Sequence, residues 1–207
     1  LADFAASSGF RLRFTGSTGS GWRSDIAIDG IEISESGQTG SAPCPQLNFT
    51  GDIISFGLSQ DNGTHAVFSP GSRVDLYDNA WKAHPNNFTV SPNTILEFEF
   101  RSNVEGEIQG IGFDNDNNIS TNFSFQLTGS QNWGIQNFNN YSGTNWVSYT
   151  IPVGSFFTGS FDRLTFINDN DAGSGNDARF RNVKVFESGD CDPSIQSLNI
   201  IGEIIIA

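Results

Sequence analysis

Leu96-Glu97-Phe98-Glu99-Phe100 is the stretch that decides the fold class. Apolar and acidic side chains alternate with a period of two. Only an extended strand with one dry and one wet face sorts such a pattern into separate surfaces. Phe180-Arg181-Asn182-Val183-Lys184-Val185-Phe186 reads the same way. Strand candidates also fall at 53–58, 65–68, 73–77, 87–90, 107–113, 122–127, 145–151 and 161–167, with turn signals recurring about every ten residues. The chain carries 23 Gly and 19 Phe and is poor in helix formers, and no helix-length amphipathic window stands out. The expected fold is all-β: an antiparallel β-sandwich of the jelly-roll kind.

Outward from that core the chain changes character. Residues 10–14 (Phe-Arg-Leu-Arg-Phe) read as a half-buried strand, followed by a Gly/Ser/Thr loop at 15–24. A second strand-like run covers 25–33, where a change of parity among its isoleucines predicts a bulge near Gly30. Linker composition then appears, so the expected organisation is a β segment at 1–36, a linker at 37–43 and the sandwich at 44–191. Residues 192–207 read as the start of a following linker or β segment. The chain has no Met, shows no signal peptide at Leu1 and ends on an apolar strand-like run, which together suggest a piece of a longer processed protein. No stretch has the length of a membrane-spanning helix.

The formal net charge of −13 disfavours phosphate backbones and anionic lipid as partners, so neither nucleic acid nor membrane insertion is expected. It suits cation binding, and equally simple solubility. The two cysteines, Cys44 and Cys191, sit in turn-like sequence at either end of the long central region. Sandwiches bring their termini together, so a Cys44–Cys191 disulfide is expected, the alternative being two independent thiols, and the acidic composition suits a secreted or cell-surface protein. Sequons begin at Asn48, Asn62, Asn87, Asn118, Asn122 and Asn140, a number this composition approaches by chance.

Two acidic loops each follow an apolar strand. In the first, Asp114, Asp116 and Asn118 place oxygens at alternate positions, where they can converge on Ca²⁺. The same run also reads as an Asx-rich turn. In the second, Asn168, Asp169, Asp171 and Asp177 surround a Gly-rich loop whose three carboxylates repel one another unless a cation neutralises them. A solvated acidic loop is the other reading.

Aromatic side chains in polar loops form the second constellation. Trp133 and Tyr141 lie among Gln131, Asn132, Gln136, Asn137, Asn139 and Asn140. A ring face suits the C–H side of a pyranose, and neighbouring amides suit its hydroxyls. Trp81 and Trp146 are further candidates, although either ring also reads as core, as does each loop aromatic that anchors its own loop. Catalysis finds little support. His65 and His84 are the only histidines and have no metal-ligand spacing. Glu97 and Glu99 share a strand face, which is the ordinary wet side of a sheet.

Three stretches resemble known families. The 10–14 strand, the 16–22 glycine loop and Ser24-Asp25-Ile26-Ala27-Ile28-Asp29-Gly30-Ile31 are similar to the C-terminal end of a MAM domain, with Gly30 replacing an acid. Phe166, Asn168 and Asp169, with Asp177, Arg179 and Asn182 matched more loosely across a longer loop, resemble the calcium-dependent xylan-binding type of carbohydrate module. More broadly, Tyr77 to Ala83, Pro92 to Phe98, Gly106 to Asp114, Trp146 to Gly154 and Phe180 to Val185 look like the galactose-binding or carbohydrate-binding-module-like domains of secreted proteins from marine Bacteroidetes. The resemblance implies a non-catalytic, calcium-stabilised module that binds a polysaccharide or glycan and sits beside other domains of its parent protein. The competing expectation is a structural or adhesive repeat of a cell-surface or filament protein, with protein partners.

Overall fold

The computed structural model describes residues 42–51 and 53–193. The chain divides into two units, Leu1–Thr39 and Gly40–Ala207, and the described residues belong to the second. The MAM-like segment, most of the linker and the C-terminal apolar run lie outside the described residues.

Ten strands form two five-stranded sheets. In chain order they are β1 (Ile54–Ser55), β2 (Thr64–Phe68), β3 (Arg73–Tyr77), β4 (Ala80–Val90), β5 (Thr94–Arg101), β6 (Ile108–Asp114), β7 (Ser124–Thr128), β8 (Val147–Ile151), β9 (Gly159–Asp169) and β10 (Asp177–Glu187). One sheet runs β1-β4-β9-β6-β7 and the other β2-β3-β10-β5-β8. Every named pairing is antiparallel. β3 pairs with β10, β4 with β9, β5 with β8 and β6 with β7. One long antiparallel ribbon is therefore rolled so that its successive strand pairs alternate between sheets, which is the jelly-roll topology.

β5 behaves as its alternation demands. Leu96, Phe98 and Phe100 are buried, while Glu97, Glu99 and Arg101 face outward. β10 departs from simple alternation. Its register against β5 shifts between Arg181 and Lys184, and Asn182 adopts a left-handed φ of 55°. This bulge turns both Phe180 and Val183 inward, three residues apart. Asn tolerates that backbone region better than most residues. β4 starts seven residues before the expected 87–90 run. Polar Lys82 and His84 and the Pro85 bulge hide its first half from a periodicity reading, yet residues 80–84 are all buried.

Phenylalanine fills the space between the sheets. Phe166 of β9 meets Phe180 of β10 across the sandwich with ring centroids 5.1 Å apart, and Phe100 lies 5.1 Å from Phe180 on the other side. Cys44 and Cys191 are bonded, which ties the start of the domain to its end. The flanking chain adds backbone bonds there: Asp192 N donates to the Ala42 carbonyl at 2.9 Å, and Leu47 N to that of Val183 at 2.8 Å.

Two stability measurements follow from this packing. Phe180→Ala empties the centre of the core and is expected to lower the unfolding free energy by about 3–5 kcal/mol in urea titration. Opening the disulfide with Cys44→Ser and Cys191→Ser frees a loop of 147 residues in the unfolded chain, which the chain-entropy model values at about 5 kcal/mol.

Candidate functional site at one end of the sandwich

Register brings the start of β4, the end of β9, the start of β6 and the end of β7 to one end of their sheet. Ala80 is opposite Asn168, Ile108 opposite Asp169, and Gln109 opposite Thr128. Side-chain direction then alternates along β9. Asn168 points inward and Asp169 outward.

The inward set is an amide network in which the buried Oε1 of Gln109 takes no hydrogen bond. Gln109 Nε2 donates to Asn168 Oδ1 at 2.7 Å and to the Asp177 carbonyl at 2.9 Å. Asn168 Nδ2 donates to the Asp78 carbonyl at 2.9 Å. Asp177 Oδ1 accepts from the backbone N–H groups of Asn103 and Val104, both at 3.0 Å, and its Oδ2 pairs with Arg179 at 2.7 Å. Two of the residues expected as metal ligands, Asn168 and Asp177, are thus buried in bonds that hold the loops together.

The outward set converges differently. Oxygens of Glu107, Asp169 and Asp171 lie within 4.8 Å of one another. Asp169 is only 5% exposed and its Oδ1 accepts from Trp81 Nε1 at 2.8 Å. Asp171 Oδ1 accepts from Asn79 Nδ2 at 2.7 Å, and its N–H donates to Glu107 Oε2 at 2.7 Å. One oxygen of each carboxylate takes no hydrogen bond from the described residues. Burial pushes the Asp169 carboxyl above its ordinary range; the Trp81 N–H opposes this, and the Asp171 and Glu107 charges add to it. Gly106 makes the approach possible, because a Cβ there would stand 2.5 Å from the Asp169 carbonyl oxygen. Three hard oxygen donors with a charge cost to relieve form a donor set that suits a hard cation.

The loop after β7 borders this cluster. Gln131 N donates to the Glu107 carbonyl at 2.9 Å. Buried Gln126 braces the loop, accepting from Trp133 N at 2.8 Å and donating to the Gln131 carbonyl at 2.5 Å. Trp133 is half-buried and stands edge-on to Trp81, with centroids 5.3 Å apart. Gln131 and Asn132 are exposed.

The other candidate residues separate from this end. Trp81 is 1% exposed, so its ring offers no sugar-facing surface; strand parity puts it under Trp133, with Phe56 and Ile119 in the same cluster. Tyr141 anchors its loop: its ring stands edge-on to Phe100 at 4.8 Å, and its hydroxyl accepts from Ser102 N at 3.0 Å. Tyr141 also lines a cavity of about 310 Å³ with Ser102, Glu105 and Thr128. Trp146 lies over the outer face of the second sheet, 4.1 Å from the Arg181 guanidinium. Asp114, Asp116 and Asn118 sit at the opposite end of β6, about 20 Å away by strand rise. There Asp114 Oδ1 accepts from Asn115 N at 2.7 Å and from Asp116 N at 3.0 Å, while Asp116 Oδ1 accepts from Asn118 N at 2.6 Å. Burial pushes the Asp114 carboxyl up, and the Asn118 N–H bond holds that of Asp116 down. Both feel the charge of Arg163, which is itself paired with Asp162 at 2.6 Å. Glu107, Asn79 and Gln126 enter the site without having been singled out; each takes its role from strand pairing.

No family model and no curated protein matches the chain. Among solved structures, a chain titled "Structure of infectious bursal disease virus Gt strain" is similar over 70% of this chain at 12% identity and a TM-score of 0.23. The match covers 35% of that chain, and a likeness this low carries no argument about function.

Asp169 supplies a direct check on the crowded carboxylates. Its raised pKa means that the folded state holds the proton more tightly than the unfolded chain does. The contribution favours folding below the ordinary carboxylate range and is lost as pH rises through the raised value. Asp169→Asn keeps an acceptor for Trp81 and removes the charge. In calcium-free buffer at neutral pH its Tm is expected to exceed the wild-type value; a lower Tm contradicts the repulsion.

Proposed function

We propose that this jelly roll is a non-catalytic glycan-binding module of a secreted protein, with Ca²⁺ at Glu107, Asp169 and Asp171. The observation that carries the reading is the position of that carboxylate cluster. It lies against the Trp81–Trp133 pair and under the loop that presents Gln131 and Asn132. A divalent ion relieves the mutual repulsion and leaves coordination positions for sugar hydroxyls, while the outer part of Trp133 offers apolar surface and the amides supply donors and acceptors. The disulfide is compatible with an oxidising compartment. The net charge of −13 argues against nucleic acid as partner.

Calcium at a hundred times its dissociation constant is expected to stabilise the fold by about 2.7 kcal/mol, seen as a Tm rise that EGTA reverses. Asp171→Asn reduces that response. On a glycan array, neutral oligosaccharides bind in calcium, and Trp133→Ala weakens them about tenfold, or about 1.4 kcal/mol. A Tm indifferent to calcium sinks the metal assignment, and an array with no bound glycan sinks the module.

A further inference from the structure

The outer face of the β2-β3-β10-β5-β8 sheet carries an unusual concentration of positive charge for this chain. Arg73, Arg101, Arg179 and Arg181 are four of the seven Lys and Arg among the described residues. They stand in directly opposed pairs: Arg73 faces Arg181, and Arg101 faces Arg179. Like charges directly opposite cost stability, so each needs compensation. Asp75 accepts from Arg73 at 2.6 and 2.5 Å and lies 3.6 Å from Arg179. Asp177 also pairs with Arg179, Glu99 with Arg181 and, further along β10, Glu97 with Lys184. Arg101 is left over. Its terminal nitrogen donates to Asn103 Oδ1 at 3.1 Å, and no carboxylate among the described residues forms an ion pair with it.

Aromatic rings lie on the same arginines. Trp146 stacks over Arg181 at 4.1 Å and reaches Arg73 at 5.5 Å, and Phe68 stacks on Arg73 at 4.4 Å. This surface remains accessible: Phe68 is 41% exposed, and the Arg73 and Arg181 side chains are 30% and 37% exposed.

We propose that this face is a second saccharide site, selective for sugars that bear an oxyanion, a carboxylate or a sulfate ester. Arg101 and Arg181 are diagonal neighbours across β5 and β10, close enough for long side chains to act on one sugar unit. The Nε of Arg101 is buried and that of Arg181 is taken by Glu99, so the terminal nitrogens of the two guanidinium groups are what face a carboxylate or a sulfate edge. Trp146, held flat by the arginines beneath it, offers ring surface to the adjoining pyranose. The charge surplus is a single cation wide, which fits isolated acidic groups on a sugar chain rather than a continuous phosphate backbone. The site shares no residue with the calcium end of the molecule.

The test is calorimetric titration of the whole chain with three short probes: an oligogalacturonate, a sulfated galactan oligosaccharide and a neutral galactan oligosaccharide. All are run in EGTA and in the Trp133→Ala background, which remove the proposed calcium site. One or both acidic probes are expected to bind and the neutral one not to, with the two acidic arms telling carboxylate from sulfate. Arg101→Gln breaks no ion pair, so it retains the fold, and it is expected to weaken binding at least about tenfold. Trp146→Ala, checked for an unchanged fold by circular dichroism, is expected to do the same. Failure of both acidic probes to bind, equal binding of the neutral probe, or affinity unchanged in both variants overturns the proposal. Loss of the calcium response alone overturns only the reading of the other end.

Discussion

A period of two at the end of β9 sends Asn168 into the sandwich and Asp169 out of it, and the loop end is built on that division. Asn168 has both halves of its amide engaged, accepting from Gln109 and donating to the carbonyls of Asp78 and Asn176. Buried amides satisfied in this way fix three loops against one another with little freedom left. One residue later, Asp169 inherits a rigid position that it did nothing to create. Its carboxylate is carried outward at the place where Glu107 leads into β6 and Asp171 follows β9.

Rigidity makes the crowding of charge consequential. On a flexible loop, three carboxylates would relax apart into water, and their mutual repulsion would be screened to little. Here Gly106 passes close over the Asp169 carbonyl, Asn79 holds Asp171, and the Trp81 indole holds Asp169. The N–H donors satisfy one oxygen of each group and leave the other without a hydrogen bond from the described residues. The fold supplies the stabilisation that keeps the charges together, and a cation is the economical way to relieve them.

Much of the fold was legible in the sequence because strand periodicity is a local signal. Nearly every strand lies where alternation and turn residues place it, and the Cys44–Cys191 pairing follows from where a sandwich puts its ends. The first half of β4 was hidden because Lys82 and His84 are buried beside partners far away in sequence: Asp61 takes the Lys82 ammonium at 2.5 Å, and Phe49 stands edge-on to the His84 ring. The candidate site was legible only in part. Asp169 and Asp171 were visible as an acidic loop. Glu107 looked like the first residue of a strand, and nothing local distinguishes it from Glu97 or Glu99. Its role comes from the β6–β9 register, a long-range fact. Trp81 misled for the same reason: the polar residues around it suggest a loop, while the partner strands put its ring beneath Trp133.

The two acidic loops show why composition alone does not select where carboxylates will crowd together. Residues 114–118 and 168–171 both follow an apolar strand with alternating Asp and Asn. In the first, each carboxylate turns back on the N–H groups one or two residues ahead, so the loop satisfies its own oxygens, while the nearby Arg163 is paired with Asp162. In the second, Asp169 and Asp171 meet Glu107, an acid from the loop that leads into β6, and Arg179 of the neighbouring strand is taken by Asp177 and Asp75. The jelly roll causes the difference. It gathers the β3–β4, β5–β6, β7–β8 and β9–β10 connections at one end, so residues from four loops meet there. A surplus charge at that end has no local turn to absorb it, and the arginines that might have done so point to the outer face of the other sheet, where Arg101 has no ion-pair partner among the described residues.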